Sequence, residues 1–204
     1  MKYSPSYEPN YFSLEDIVAT NATVPCKVEI KIPGLGEMDR GSQSEHLEPG
    51  RRLELPIWMA FNLSKRHLVK PDFGKAYSQS AREILKAEPA VVDLLKQEAY
   101  FYETGIHVAS LIEGEEAANL RKILQNTFQI RSKEIISLSQ AEISKDVISR
   151  EQLLSKEEKA VMLDGRARWL EVENWLSGKL SSAELAAVSV SNYLKRKRPR
   201  EDSD

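Results

Sequence analysis

The spacing of apolar residues between positions 115 and 139 constrains the fold of this chain most. They recur at intervals of three and four residues, which places them on one face of a long amphipathic helix. The residues that follow this spacing are Leu120, Ile123, Leu124, Thr127, Phe128, Arg131, Ile135 and Leu138. A second long helix is predicted after Ser155, because Ser155 and Glu158 have the spacing of a capping box. We therefore predict a helical bundle domain over residues 56–194.

Residues 1–55 follow a different pattern. Between Val24 and Ile32 apolar residues alternate with charged ones, which is the period of a half-buried strand. Cys26 falls on the apolar side of this strand and is predicted to be a small core residue. Residues 52–55 form the predicted partner strand, and the polar residues 39–50 are predicted to be a loop. The predicted fold is therefore mainly α. A small β-rich N-terminal domain precedes the helical bundle, which makes the fold class α+β.

Residues that could support catalysis do not converge in the sequence. The three histidines are scattered, and there is no phosphate-binding glycine loop and no HExxH or CxxC pair. One cysteine, Cys26, excludes a disulfide within the chain. No apolar run approaches the roughly 20 residues of a membrane span, and the first residues lack the apolar core of a signal peptide. We predict a non-catalytic protein without cofactor or metal, in the cytoplasm or nucleus.

Apolar and aromatic residues beyond the needs of a minimal fold predict contacts with other proteins. The helix after Ser155 has an apolar arc that is wider than one face, which predicts burial on more than one side. The candidate interface residues are Tyr11, Phe12, Phe101, Tyr102, Phe128, Met162, Trp169 and Trp175. Packing within the chain is the alternative for the aromatic residues and for this helix. At the domain junction, Leu53, Leu55, Pro56 and Trp58 are predicted to fix the small domain to the helices.

A basic cluster lies near the C-terminus, although the whole chain has a formal net charge of −2. Residues 195–204 are predicted to be a disordered tail, basic and then acidic. Lys195, Arg196, Lys197, Arg198 and Arg200 form a candidate nuclear localisation signal. A solubilising tail and a phosphate-binding arm are the other interpretations. The second of these leads to an alternative function, a nuclear nucleic-acid-binding module that uses this tail.

Four segments, in chain order, resemble the third Psf subunit family of the GINS complex. They are Tyr11-Phe-Ser-Leu-Glu-Asp-Ile17, Leu53-Glu-Leu-Pro-Ile-Trp-Met59, Pro89-Ala-Val-Val-Asp-Leu94 and Asn192-Tyr-Leu-Lys-Arg-Lys-Arg198. The strand from Val24 also follows the first segment at the place expected for that family. Residues 115–180 match the family in helical character alone. Together the matches span nearly the whole chain.

The resemblance implies a function that the residue patterns alone do not provide. It implies a non-catalytic subunit of the heterotetrameric GINS complex, located in the nucleus, with three sister subunits as partners. It also implies that the complex scaffolds the Mcm helicase ring and the Cdc-forty-five protein in the eukaryotic replicative helicase, during initiation and elongation of DNA replication. Direct contact with DNA is left open, and no membrane partner is expected.

Overall fold

The computed structural model describes residues 12–39, 41, 44–112 and 114–178. The candidate interface residue Tyr11 and the whole basic cluster from Lys195 to Arg200 lie outside these residues. The described part begins with helix α1, Leu14–Thr20. Ser13 caps this helix, and its hydroxyl accepts a hydrogen bond from the backbone N–H of Asp16.

A three-stranded antiparallel sheet follows, in the order β2-β1-β3. Strand β1 is Thr23–Val28, β2 is Arg52–Pro56 and β3 is Val69–Pro71. The predicted strand over 24–32 is too long, because β1 ends at Val28. Beyond it Ile30 is exposed, and Ile32 makes a separate bridge with Leu47. The predicted pairing of β1 with residues 52–55 is confirmed, whereas β3 was not predicted.

The remaining elements are helices. They are α2 (Ile57–Lys65), α3 (Gln79–Ala87), α4 (Leu94–Gln97), α5 (Phe101–Leu111), α6 (Glu115–Gln140), α7 (Lys145–Glu151) and α8 (Lys156–Leu176). Helix α6 confirms the helix predicted from apolar spacing. The capping box that precedes α8 is complete, with Ser155 and Glu158 each bonding the other's backbone N–H. The predicted fold class, mainly α with a small β-rich N-terminal part, is confirmed.

One hydrophobic core joins the sheet to the first half of the bundle. Its buried members include Val24, Cys26, Val28, Leu53, Leu55, Ile57, Ala60, Val69, Leu85, Phe101, Val108, Leu120 and Leu124. Cys26 is the small core residue that was predicted, and burial raises the pKa of its thiol to about 12, with a further contribution from Glu54. The predicted domain boundary near residue 55 remains a prediction. Strand β3, which follows that position in the chain, pairs with β1, and the core includes residues from both sides of it.

A smaller hydrophobic cluster lies between α6, α7 and α8. It consists of Ile135, Leu138, Val147, Leu154 and Met162. The first part of α8 is thereby packed onto the second half of α6. The two apolar clusters together set the relative positions of α5, α6 and α8, on which the candidate surfaces described next depend.

Candidate protein-interaction surface

A buried ionic network joins α6 to the first turn of α8. The side chain of Arg131 pairs with Glu158, with Nε 2.7 Å from Oε1 and Nη2 2.8 Å from Oε2. Arg131 also donates from Nη1 to the carbonyls of Pro89 and Val92, and from Nη2 to the carbonyl of Leu153. A bidentate geometry with additional acceptors is what makes a buried ion pair tolerable. The network therefore fixes the angle between α6 and α8.

Tyr102 on α5 completes this network. Its hydroxyl donates to Glu158 Oε1 at 2.7 Å. Burial, followed by the negative charge of Glu158, raises the pKa of Tyr102, so the phenol stays protonated and keeps its donor. Burial alone would lower the pKa of Arg131, but its hydrogen bonds to Glu158 and the charge of that carboxylate raise it. Each of the three side-chain nitrogens of Arg131 thus has an acceptor within the cluster.

Glu157, next in the chain to this cluster, caps a different helix. Its carboxylate accepts hydrogen bonds from the backbone N–H groups of Tyr102 and Glu103, at 3.0 Å and 2.7 Å. These N–H groups belong to the first turn of α5, where Tyr100 provides no side-chain cap. A negative charge at this end also complements the helix dipole. The first turn of α8 therefore holds both α5 and α6.

Beyond this anchor, α8 has little burial within the described part of the chain. Glu158 and Met162 are its buried residues, and every residue from Ala167 to Leu176 is exposed. Trp175 and Leu176 have relative exposures of 63% and 70%. We define the distal face of α8 as its exposed apolar residues in this stretch: Trp169, Leu170, Val172, Trp175 and Leu176. Contiguous apolar exposure of this kind marks an interaction site or an aggregation liability.

The apolar residues of α8 surround most of the helix. At 100° per residue, Val172 and Trp175 lie on one side and Leu170 on the opposite side, with Trp169 and Leu176 between them. Together with Val161 and Leu163, also exposed, they cover roughly two-thirds of the circumference. A single flat partner covers about one face of a helix. The pattern therefore suits a helix that is enclosed from more than one side.

Two family models match this chain. One is described as the PSF3 N-terminal domain and matches residues 12–65, and the other is described as the GINS complex protein helical bundle domain and matches residues 76–177. The DNA replication complex GINS protein PSF3 of Xenopus laevis is 31% identical over 193 residues, which cover 93% of this chain and 90% of the relative. The chain belongs to the GINS PSF3 family.

Other relatives with the same name extend this similarity to mammals and fungi. The Homo sapiens protein is 30% identical over 197 residues, covering 93% of this chain and 90% of the relative. The Aspergillus fumigatus protein is 33% identical over 132 residues, covering 62% of this chain and 72% of the relative. The similarity to this GINS family therefore spans both the sheet and the helices of the chain.

In this GINS family member the predicted junction residues lie where the sheet meets α2. Leu53 and Leu55 are buried in the shared core, and half-buried Pro56 precedes the first turn of α2. Trp58 lies on the outer side with a relative exposure of 51%, and its Nε1 donates to Asn21 Oδ1 at 3.4 Å. The backbone N–H of Ile57 also donates to the carbonyl of Ala22. The junction function of these residues remains a prediction.

The predicted interface residues separate into two groups. Phe101 and Met162 are fully buried within the chain, so we correct their assignment to packing of the chain's own core. The reason is that Phe101 faces Tyr77 and Tyr102 between the sheet and the bundle, and Met162 fills the cluster between α6 and α8. Phe12, Phe128, Trp169 and Trp175 are exposed and Tyr102 is half-buried. Their role in an interface stays a prediction.

Two buried polar pairs were missed by the sequence analysis. Arg131 was placed on the apolar face of α6 but without a partner, and an arginine in that position was the available signal. The second pair joins Asp16 on α1 to His107 on α5, with Oδ1 2.6 Å from Nε2. The sequence gives no signal for this pair, because the two residues are far apart in the chain and helix packing brings them together.

No metal-binding group of three or more His, Cys, Asp or Glu side chains occurs in the part of the chain that the structure describes. Nor does any described helix have the length and apolar character needed to cross a membrane. The polar clusters that are present hold helices together, since the hydrogen bonds of Arg131, Glu157 and Glu158 are made to groups of the protein itself.

Proposed function

We propose that this chain is a non-catalytic subunit of a four-subunit GINS complex and that the distal face of α8 docks onto sister subunits. The exposed apolar side chains that surround α8 carry this proposal. Burying one large apolar side chain contributes about 1.5–3 kcal/mol, so the distal face can supply much of the free energy of a stable assembly. Family membership supports the identity of the complex, because the relatives are GINS proteins by name.

We further propose that the assembled complex scaffolds the Mcm ring and the Cdc-forty-five protein in the replicative helicase, during initiation and elongation. The rigid junction of α5, α6 and α8 supports a scaffolding role. Such a bracket favours one state of the ring by binding that state more tightly than others. The chemistry of the helicase then belongs to the ring, and this chain positions its partners in the nucleus.

The proposed assembly is tested by co-expression with the three sister subunits, followed by sizing and mass measurement. A complex with one copy of each subunit is expected for the wild-type chain. The variant Trp169→Ser/Trp175→Ser is expected to lose the complex, because aromatic anchors dominate the binding energy of interfaces. The matched control is Arg168→Ser/Glu171→Ser on the same helix, where both side chains are similarly exposed, and it is expected to assemble normally.

Three results contradict the proposal, two from co-expression and one from the free chain. One is the failure of the wild-type chain to form a complex with one copy of each subunit. The other is normal assembly of the double tryptophan variant. The free wild-type chain is also expected to aggregate or to bind a hydrophobic dye, since the distal face is then exposed to water, and a stable monomer on sizing argues against the proposal.

We also propose that the basic cluster Lys195–Arg200 directs nuclear import. A fluorescent fusion of the full chain is expected to accumulate in the nucleus, and deletion of residues 195–200 is expected to reduce this accumulation. If the cluster binds nucleic acid instead, the chain has an affinity for DNA that falls steeply with salt and is lost on the same deletion. Unchanged nuclear accumulation of the deletion variant contradicts the import function.

A further inference from the structure

A second apolar surface lies between α5 and α6, beside the first turn of α8. We call it the α5–α6 groove; it has a volume of about 750 Å³. Its lining residues include Tyr102, Ile106, Ala118, Leu124, Gln125 and Phe128. The Phe128 ring meets the Tyr102 ring edge to face at 5.4 Å, and 40% of the Phe128 residue remains exposed. The groove therefore has the width and apolar floor of a site for large side chains.

One end of the groove is acidic. Glu103 and Glu157 both line it. The Glu157 oxygens accept hydrogen bonds from two backbone N–H groups of α5 and from Ser155. Glu103 Oε2, in contrast, is shielded from solvent and accepts no hydrogen bond from the described part of the chain. A shielded carboxylate oxygen without a donor is costly, so the acidic end of the groove is left uncompensated by the described residues.

The charges around Glu103 indicate the sign of that donor. Burial, followed by repulsion from Glu157, Glu15 and Asp16, raises the pKa of Glu103, and His107 alone acts in the opposite direction. Among the described residues, no lysine or arginine forms an ion pair with Glu103. A cation placed at this end would relieve the repulsion between these carboxylates.

The cations at the other end of the groove already have acceptors or acidic neighbours. Arg121 Nη2 donates to the carbonyl of Ala109 at 2.9 Å. Lys122 lies beside Glu115 and Glu116 on the rim of a neighbouring hollow. The groove thus runs from an unsatisfied acidic end to a basic end that is largely satisfied. A ligand with a cation at one end and an apolar middle matches this polarity.

We propose that the α5–α6 groove binds an amphipathic helix of another protein chain, with large apolar side chains along the floor and a lysine or arginine beside Glu103. The side chains of α5 and α6 form two ridges along the groove. The side chains of a third helix, spaced by one turn, fit between these ridges. The proposal goes beyond the proposed function, because the groove is lined by α5, α6 and Glu157 in the first turn of α8 and contains none of the residues of the distal face.

The test uses the full chain carrying Trp169→Ser/Trp175→Ser, which removes the two aromatic residues of the distal face from competition. The probe is a displayed library of helical peptides of about five turns, with one leucine face and randomised flanking positions. Selected peptides are expected to carry lysine or arginine at one end of the leucine face. Glu103→Gln and Phe128→Ser are each expected to weaken their binding by roughly tenfold or more.

A charge reversal sharpens the test. With Glu103→Lys, the same library is expected to yield peptides that carry aspartate or glutamate at that position. The matched control is Glu142→Gln, an exposed carboxylate outside the groove, which is expected to leave binding unchanged.

The proposal is overturned if selection yields no binder, if the binders show no basic position, or if they bind the Phe128→Ser chain equally well. It is also overturned if a synthetic peptide of residues 1–11 displaces the binders, because the occupant is then the chain's own N-terminal segment. None of these outcomes depends on assembly through α8, so they are distinct from a failure of the proposed function.

Discussion

At the scale of single residues, Arg131 shows how a charged side chain can replace an apolar one in a helical core. It occupies an inward position of α6, between positions filled by Thr127 and Ile135, and is 1% exposed. Its partner Glu158 has two functions, because it both closes the capping box of α8 and neutralises Arg131. Loss of Glu158 leaves the buried charge of Arg131 without a partner. Loss of Arg131 leaves the buried carbonyls that it bonds without a donor.

We expect Glu158→Gln to destabilise the chain by about 3–5 kcal/mol, since it leaves the charge of Arg131 buried and unpaired. Glutamine keeps the shape of the side chain and can still cap α8. Arg131→Met is expected to have a comparable cost, and the double variant to cost less than the sum of the two, because the residues form one network. Urea unfolding followed by circular dichroism measures these differences.

The more exposed pair Arg150–Glu134 provides the control for this cycle, since it also joins an arginine to a glutamate and has one partner on α6. Arg150→Met is expected to cost less than about 1 kcal/mol, as for surface ion pairs in general. Additive effects of the two network variants would show that Arg131 and Glu158 act separately and would contradict the assignment.

At the scale of secondary-structure elements, two glycines lie where helices approach each other closely. A Cβ atom added at Gly105 on α5 would lie 2.8 Å from Leu124 Cδ1 and 3.0 Å from Tyr77 Cε1. At Gly165 on α8 the nearest atom would be Ser139 Cβ, at 3.1 Å. Helices α5 and α6 are therefore in closer contact than side chains of ordinary size would allow.

Gly105→Ala is expected to destabilise the chain by about 1–3 kcal/mol through overpacking, although alanine has a helix propensity about 1 kcal/mol better than glycine. Gly165→Ala gains the same propensity at a longer contact, 3.1 Å from Ser139 Cβ, and is the matched control, with a smaller expected loss of stability. Thermal unfolding of both variants measures the difference. Equal stability of the two would indicate that α5 and α6 can move apart at little cost.

The elements that were predicted correctly are those specified by neighbouring residues. The apolar spacing of α6 and the capping box at Ser155 lie within one helix each, so the local sequence contains the whole signal. The end of β1 and the existence of β3 depend on pairing with distant residues, which no local pattern reports. The roles of Phe101 and Met162 were misjudged for a related reason, because an apolar residue looks the same in a core and in an interface.

At the scale of the whole molecule, the sheet and the helical bundle share one core. Leu55 on β2 and Phe101 on α5 belong to the same cluster of buried residues. The parts of the chain on either side of residue 55 therefore contribute to each other's burial, even though each follows its own sequence pattern. This shared burial couples their stability.

We expect the sheet and the bundle to unfold in one transition. In a Trp169→Phe/Trp175→Phe background, Trp58 is the remaining tryptophan and reports on the junction of β2 and α2, while circular dichroism reports on the helices. The two denaturation curves are expected to coincide, and Leu55→Ala is expected to shift both by about 2–5 kcal/mol. An earlier transition of the Trp58 signal would show that the small domain is independent of the bundle.

The exposed end of α8 also has a mechanical consequence. The described helix is attached to the body through its first three turns, from Glu157 to Arg166, and extends about 15 Å farther to Leu176. A small tilt of α8 at its attachment therefore produces a larger displacement of its far end. If sister subunits dock on the distal face as proposed, substitutions around Glu158 that leave the chain folded would shift the docked subunit.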